Sequence, residues 1–168
     1  DREVVLKKLE ELKLVAANDN GGGQIVAAGD LAALAALSEN PPEGARVRAL
    51  AVAGAFHTSF MEPAVEPLRT LAATIQTATT TISVISNKDG EVVSDGGEVL
   101  TRIVNQIANP VRWDLCMQTL KNLGVTGVIE LPPAGTLVGL LKRGAPEIET
   151  FALKSADDLS AAKEFAGR

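Results

Sequence analysis

Beyond residue 57 the chain alternates two kinds of pattern, and this alternation restricts the folds open to it more than any other feature. Met61, Val65, Leu68, Leu71 and Ile75 recur three and four apart, so 58–76 reads as a helix. The run T-T-I-S-V-I-S at 80–86 is rich in β-branched residues and reads as a strand, followed by a turn at 87–90 and a short strand at 91–93. Further helices are expected at 97–107, stopped by Asn109-Pro110, at 112–123, at 133–143 and at 155–166, with strands at 125–131 and 148–153 between them. Elements in that order pack as an α/β protein with a partly parallel sheet.

The region before residue 57 follows another plan. Residues 2–12 carry Val5, Leu9 and Leu12 at helical spacing among charged residues; 14–17 and 24–28 read as the strands of a hairpin turned by N-D-N-G-G-G. Neither G-x-G-x-x-G nor a Walker sequence is present, so this glycine-rich loop reads as a turn. Asp30 is placed to cap a helix bearing Leu31, Leu34 and Leu37, which Asn40-Pro41-Pro42 ends. Residues 46–52 read as a strand with imperfect alternation, because Arg46 and Arg48 share a side with Leu50 and Val52. Helix, strand, strand, helix, strand is a βαββαβ ferredoxin-like unit without its first strand.

Between the two regions lies A-V-A-G-A-F-H-T-S-F-M, with His57 the single histidine of 168 residues. Histidine alone among unperturbed side chains changes charge near neutral pH, so His57 is a candidate proton carrier at a strand end; a structural histidine is the alternative. A histidine base needs a nucleophile, and none of the serines at 38, 59, 83, 86, 94, 155 and 160 sits in a G-x-S-x-G turn. Thr58 and Ser59 read as helix caps, Asp157-Asp158 as a helix start, and Cys116 as a buried small hydrophobe. A net charge of −5 argues against non-specific nucleic-acid binding, and no apolar run is long enough to span a bilayer. One cysteine excludes an intrachain disulfide and a cysteine-based zinc cluster, and a reducing cytoplasmic location is expected. The chain starts at Asp1 and not Met, so a processed or truncated N-terminus would hide a targeting segment.

Four motifs carry a resemblance: N-D-N-G-G-G-Q-I-V-A-A-G at 18–29, G-A-F-H-T-S-F-M at 54–61, N-Q-I-A-N-P-V-R-W at 105–113, and E-L-P-P-A-G-T-L-V-G-L-L-K-R at 130–143. In order and spacing they resemble the malonyl-CoA:acyl carrier protein transacylases, in particular the discrete actinobacterial enzymes of fatty-acid synthesis. The resemblance implies an α/β protein: part of an α/β-hydrolase-like core, residues 53–168, plus an incomplete ferredoxin-like small subdomain, residues 1–52. It implies a Ser-His dyad with His57 as general base and acid and the Gln106 backbone carbonyl orienting the imidazole. Phe56 matches the phenylalanine of malonyl-selective members, and Asn18 and Asn20 match a polar loop near the substrate cleft.

By the same resemblance the substrate is malonyl-CoA, no cofactor is needed, and the partners are acyl carrier protein and the missing N-terminal half. That half holds the family's G-H-S-x-G serine and its malonyl-binding arginine, so this chain alone is expected to be inactive. Pro132-Pro133-Ala134-Gly135 departs from the commoner Gly-Pro-Gly. Arg46, Arg48, Lys142 and Arg143 read as solvated charge or as contacts to the acidic carrier or coenzyme phosphates. An acyltransferase domain of a polyketide synthase and a non-catalytic α+β binding module are the alternative readings.

Overall fold

The computed structural model describes residues 1–167; Arg168, the last residue of the second region, lies outside the described residues. Three small hydrophobic cores organise the chain, which has the mixed helices and strands of an α/β fold.

The first core lies between α1 (Arg2–Glu11), β1 (Val15–Asp19), β2 (Ile25–Ala28) and α2 (Leu31–Glu39). Leu9, Leu14 and Leu37 fill it. The Asp1 and Asp30 side chains cap their helices by accepting backbone N–H groups, as the sequence anticipates for Asp30. β1 and β2 pair antiparallel with an irregularity between Ala16 and Asn18. At the hairpin tip Gly21 has φ of 68°, so the turn favours glycine, and the Met117 Cε lies close enough that a Cβ there would have to displace it.

The second core joins α3 (Glu62–Ala72) to α4 (Gly96–Gln106) through Val65, Ala72, Val104 and Ala108. A short antiparallel pair, β3 (Val84–Ile85) and β4 (Val92–Val93), precedes α4. Arg102, on the first-turn-to-middle face of α4, meets Asp89 at 2.7 Å, Glu98 at 2.8 Å and Glu91 at 3.3 Å, tying the helix to the β3–β4 turn. The third core packs α5 (Trp113–Asn122) on α6 (Thr136–Gly144) through Met117 and Leu141, with Ala145 and Ile148 beside them. β6 (Gly127–Glu130) and β7 (Glu149–Ala152) pair parallel, and α7 (Leu159–Ala166) closes the chain.

The two regions meet where β1 pairs parallel with β5 (Val111–Arg112), setting Asn18 opposite Val111. Several expectations are corrected. Residues 46–52 form no strand; Leu50 and Val52 are 56% and 68% exposed, and without a neighbouring strand the backbone has no ladder to join. The ferredoxin-like order therefore stops after its second helix. The run 80–86 yields only Val84–Ile85 as strand, with Ile82 81% exposed, and the helix of 58–76 begins as a 3₁₀ turn at Ser59–Met61 and ends at Ala72.

The helix expected from Pro133 starts instead at Thr136, and Glu130 explains why. Its buried carboxylate accepts the backbone N–H groups of Gly135 at 2.8 Å and of Leu137 and Val138 at 2.9 Å, so the end of β6 caps α6 across the loop. Burial alone would push this carboxyl up; the N–H groups of Val138, Leu137, Gly135 and Thr136 outweigh it and hold the pKa below the ordinary value. The ionised form is therefore the one the native state favours. Its contribution is complete above the unfolded pKa of about 4.3 and is lost as pH falls through the lower native value. Glu130→Gln should lower stability by about 1–3 kcal/mol at pH 7 in chemical denaturation. The gap from wild type should shrink below about pH 5; a gap that stays constant contradicts the capping role.

Candidate active site

The segment from Ala55 to Phe60 is a tight turn built by its own polar atoms. Thr58 is 1% exposed, and its hydroxyl donates to the Ala55 carbonyl at 2.6 Å and accepts the Phe60 N–H at 3.3 Å. This lock opens the 3₁₀ turn, as the capping expectation for Thr58 required. It also forces the residue between into an unusual backbone: His57 has φ of 63°, the left-handed region that non-glycine residues enter at a cost.

Two consecutive carbonyls at the end of α4 hold that conformation. The His57 N–H donates to the Ile107 carbonyl at 3.0 Å, and its ring Nδ1 lies 2.8 Å from the Gln106 carbonyl. A carbonyl can only accept, so Nδ1 carries the proton in this bond and the neutral ring leaves Nε2 as an acceptor. Half-buried His57 thus has one nitrogen fixed and the other available to take a proton, which is the requirement for a general base.

Gln106 itself is 8% exposed. Its Nε2 donates to the carbonyls of Asn109 and Pro110, each at 2.8 Å, across the turn that ends α4. The proline that sequence reasoning used to stop this helix is therefore also a hydrogen-bond partner of the residue beside the imidazole. The next strand, β5, starts at Val111, and its pairing with the central strand β1 sets Asn18 beside it. Asn20 closes the hairpin loop, its N–H donating to the Gln24 carbonyl at 3.0 Å. Neither asparagine shares a hydrogen bond with His57 among the described residues. Phe56, next to the imidazole in sequence, is 48% exposed.

The remaining candidates separate cleanly. Cys116 is 2% exposed, donates to the Ser86 carbonyl at 3.4 Å, and burial pushes its thiol up to about 11, so it is a protonated core residue. Asp158 caps its own helix start through the N–H groups of Lys154 and Ser155. Arg143 donates to the Gln24 side chain at 2.6 Å, while Arg46, Arg48 and Lys142 are exposed. No group of histidine, cysteine and carboxylate side chains could hold a metal among the described residues, and none of the helices described is long and apolar enough to cross a membrane.

Sequence reasoning missed the Ile107 carbonyl, which carries no side-chain signal, and the side-chain amide of Gln106. It also missed Arg102, whose spacing to Glu98 at i−4 was the one visible hint of its role in fixing α4.

No protein-family model matches the chain. The malonyl CoA-acyl carrier protein transacylase of Mycobacterium tuberculosis strain H37Rv is 51% identical over 159 residues, covering 95% of this chain and 53% of that protein. A crystal structure of MCAT from Mycobacterium tuberculosis matches with a TM-score of 0.92 at 50% identity, over 96% of this chain and 53% of that one. The complex of a type II PKS acyl-carrier protein with its malonyl-transacylase matches with a TM-score of 0.87 at 25% identity, over 100% of this chain and 56% of that one. The chain spans about half the length of the curated relatives it matches. Through half its residues shared with the mycobacterial protein, and a backbone that follows the solved structure almost from end to end, the chain belongs to the malonyl-CoA:acyl carrier protein transacylase family and corresponds to the C-terminal part of its members.

Proposed function

We propose that this chain supplies the base of a serine acyltransferase that moves malonyl from coenzyme A to the phosphopantetheine thiol of acyl carrier protein. The observation that carries this reading is the 2.8 Å bond from the Gln106 carbonyl to His57 Nδ1, which leaves Nε2 ready to accept. The nucleophilic serine belongs to the N-terminal half of the family and is supplied from outside residues 1–168.

The chemistry then runs in two halves. Nε2 takes the serine proton as the hydroxyl oxygen attacks the malonyl thioester carbon; the carbon–sulfur bond breaks, and the imidazolium returns the proton to the coenzyme A thiolate. In the second half Nε2 takes the proton of the carrier thiol, whose sulfur attacks the serine ester, and the proton passes back to the serine oxygen. A neutral carbonyl behind Nδ1 fixes the tautomer but stabilises the imidazolium less than a carboxylate would. No cofactor enters these steps.

Within this reading residues 1–52 form most of the small subdomain, and Asn18 and Asn20 stand on the edge of the cleft. Phe56 crowds an α-methyl branch on the substrate. The apolar side chains that residues 46–52 and 80–86 leave exposed are covered by the N-terminal half, which also provides their missing strand partners. A complex between a carrier protein and its transacylase, matched over the whole of this chain, supports acyl carrier protein as the acceptor. The cytoplasm, where fatty-acid synthesis takes place in bacteria, is the proposed location.

Two outcomes test the reading. This chain, co-expressed with the upstream half of its parent protein and offered labelled malonyl-CoA, should form a labelled serine ester. His57→Ala should slow its formation by about 10²- to 10⁴-fold; unchanged labelling would exclude His57 as the base. Phe56→Ala should raise the rate with methylmalonyl-CoA relative to malonyl-CoA by about tenfold, the scale of one methyl group, measured as a ratio of kcat/KM values; an unaltered ratio removes Phe56 from selectivity.

A further inference from the structure

The resemblance concerns only the backbone carbonyl of Gln106, yet the side chain of the same residue holds the more unusual geometry. We propose that the Gln106 side-chain amide is a positioning residue for His57: it fixes the turn that aims the Gln106 and Ile107 carbonyls, and so decides which ring nitrogen carries the proton. The inference rests on the reading of His57 as the base.

The backbone holds that turn weakly. Ala108 N–H reaches the Asn105 carbonyl and Asn109 N–H reaches the Gln106 carbonyl, both at 3.3 Å, at the long end for such bonds. Pro110 has no N–H to add, and it pushes Asn109 away from helical geometry. The Gln106 carbonyl must also be shared, since it accepts both this N–H and His57 Nδ1. Against these stand the exposed 2.7 Å bond from Asn109 Nδ2 to the Asn105 carbonyl and, from the buried Gln106 side chain, the two 2.8 Å bonds of Nε2 to the carbonyls of Asn109 and Pro110, which use both amide hydrogens and clamp the turn from inside.

The other end of the amide shows that this double donation is what the position needs. Gln106 Oε1 is buried without a hydrogen-bond partner among the described residues, a cost that a methionine of similar length would avoid. Glutamate offers no second donor, and asparagine is one carbon shorter. Among uncharged side chains only glutamine presents two N–H groups at this reach. The left-handed His57 backbone adds to the demand. Its φ of 63° persists because the Ile107 carbonyl holds the N–H while the Gln106 carbonyl holds the ring, and both carbonyls belong to the clamped turn. Once the turn loosens, Nδ1 loses its acceptor and the ring is free to take the Nε2–H form, in which Nε2 can no longer accept a proton.

His57 being the one histidine of the chain, nitrogen-15 label placed in this chain alone, bound to the unlabelled upstream half, reports a single imidazole. In the wild-type chain the neutral ring should show a protonated Nδ1 and an unprotonated Nε2. Gln106→Met, which keeps length and apolar volume but donates nothing, should lose Nδ1–H as the major form while circular dichroism stays native. A folded Gln106→Met chain that keeps the wild-type tautomer overturns the proposal.

If that variant does not fold, the wild type still decides. Couplings across the hydrogen bonds from Gln106 Nε2 to the carbonyl carbons of Asn109 and Pro110, found together with the Nδ1–H tautomer, support the clamp; their absence overturns it. In the full-length parent the variant should lower kcat and leave KM unchanged. A parent without transacylase activity would remove the functional reading while leaving the tautomer result standing.

Discussion

The bond from the imidazole of His57 to the carbonyl of Gln106 spans 49 positions of sequence, and every other feature of the site serves to keep its two ends in place. On one side the Thr58 hydroxyl pinches the turn that carries the ring. On the other, α4 delivers its last carbonyls to a fixed point, because its apolar face packs on α3 while Arg102 anchors its charged face to Asp89, Glu91 and Glu98. Burial acts against ionisation of Asp89, yet the Glu91 N–H and the Arg102 guanidinium hold its carboxyl below the ordinary value, so this anchor remains charged at neutral pH. A helix end is a natural source of acceptors, since its final carbonyls lack intrahelical partners. Here two of them are spent on one histidine.

A carbonyl in that position has an electrostatic consequence. It directs the proton to Nδ1 as a carboxylate would, but it brings no net charge to balance the imidazolium. The carboxylates of the surrounding elements are committed elsewhere: Asp19 to Arg2 at 2.7 Å, Asp114 to Arg112 at 2.7 Å, and Glu130 to the start of α6. In the bond described here the imidazole is oriented by a carbonyl dipole.

Much of this was legible in the residues. The helices and most turns followed from apolar spacing, caps and prolines: Asp30 and Asn109-Pro110 stand at element ends as read. The burial of Cys116 was equally plain. Two strands were over-read, at 46–52 and 80–86, for one physical reason: β-branched composition reports what a segment favours beside a neighbour, whereas a strand exists only when the neighbour is there. Pro133 misled in another way, since the start of α6 is set by the reach of the Glu130 carboxylate. At the site, His57 was singled out as the one histidine of the chain, and Gln106 through the resemblance. The positive φ of His57, the Ile107 carbonyl and the double donation by Gln106 were beyond reach, because they depend on how two chain segments meet.

The most direct test of the account is a crystal structure of the full-length parent protein with its reactive serine hydroxyl free. The account predicts that serine Oγ within about 2.6–3.2 Å of His57 Nε2, with Nδ1 still against the Gln106 carbonyl. A ring turned to present Nδ1 to the serine, or an Nε2 facing solvent with another base at the oxygen, would contradict it.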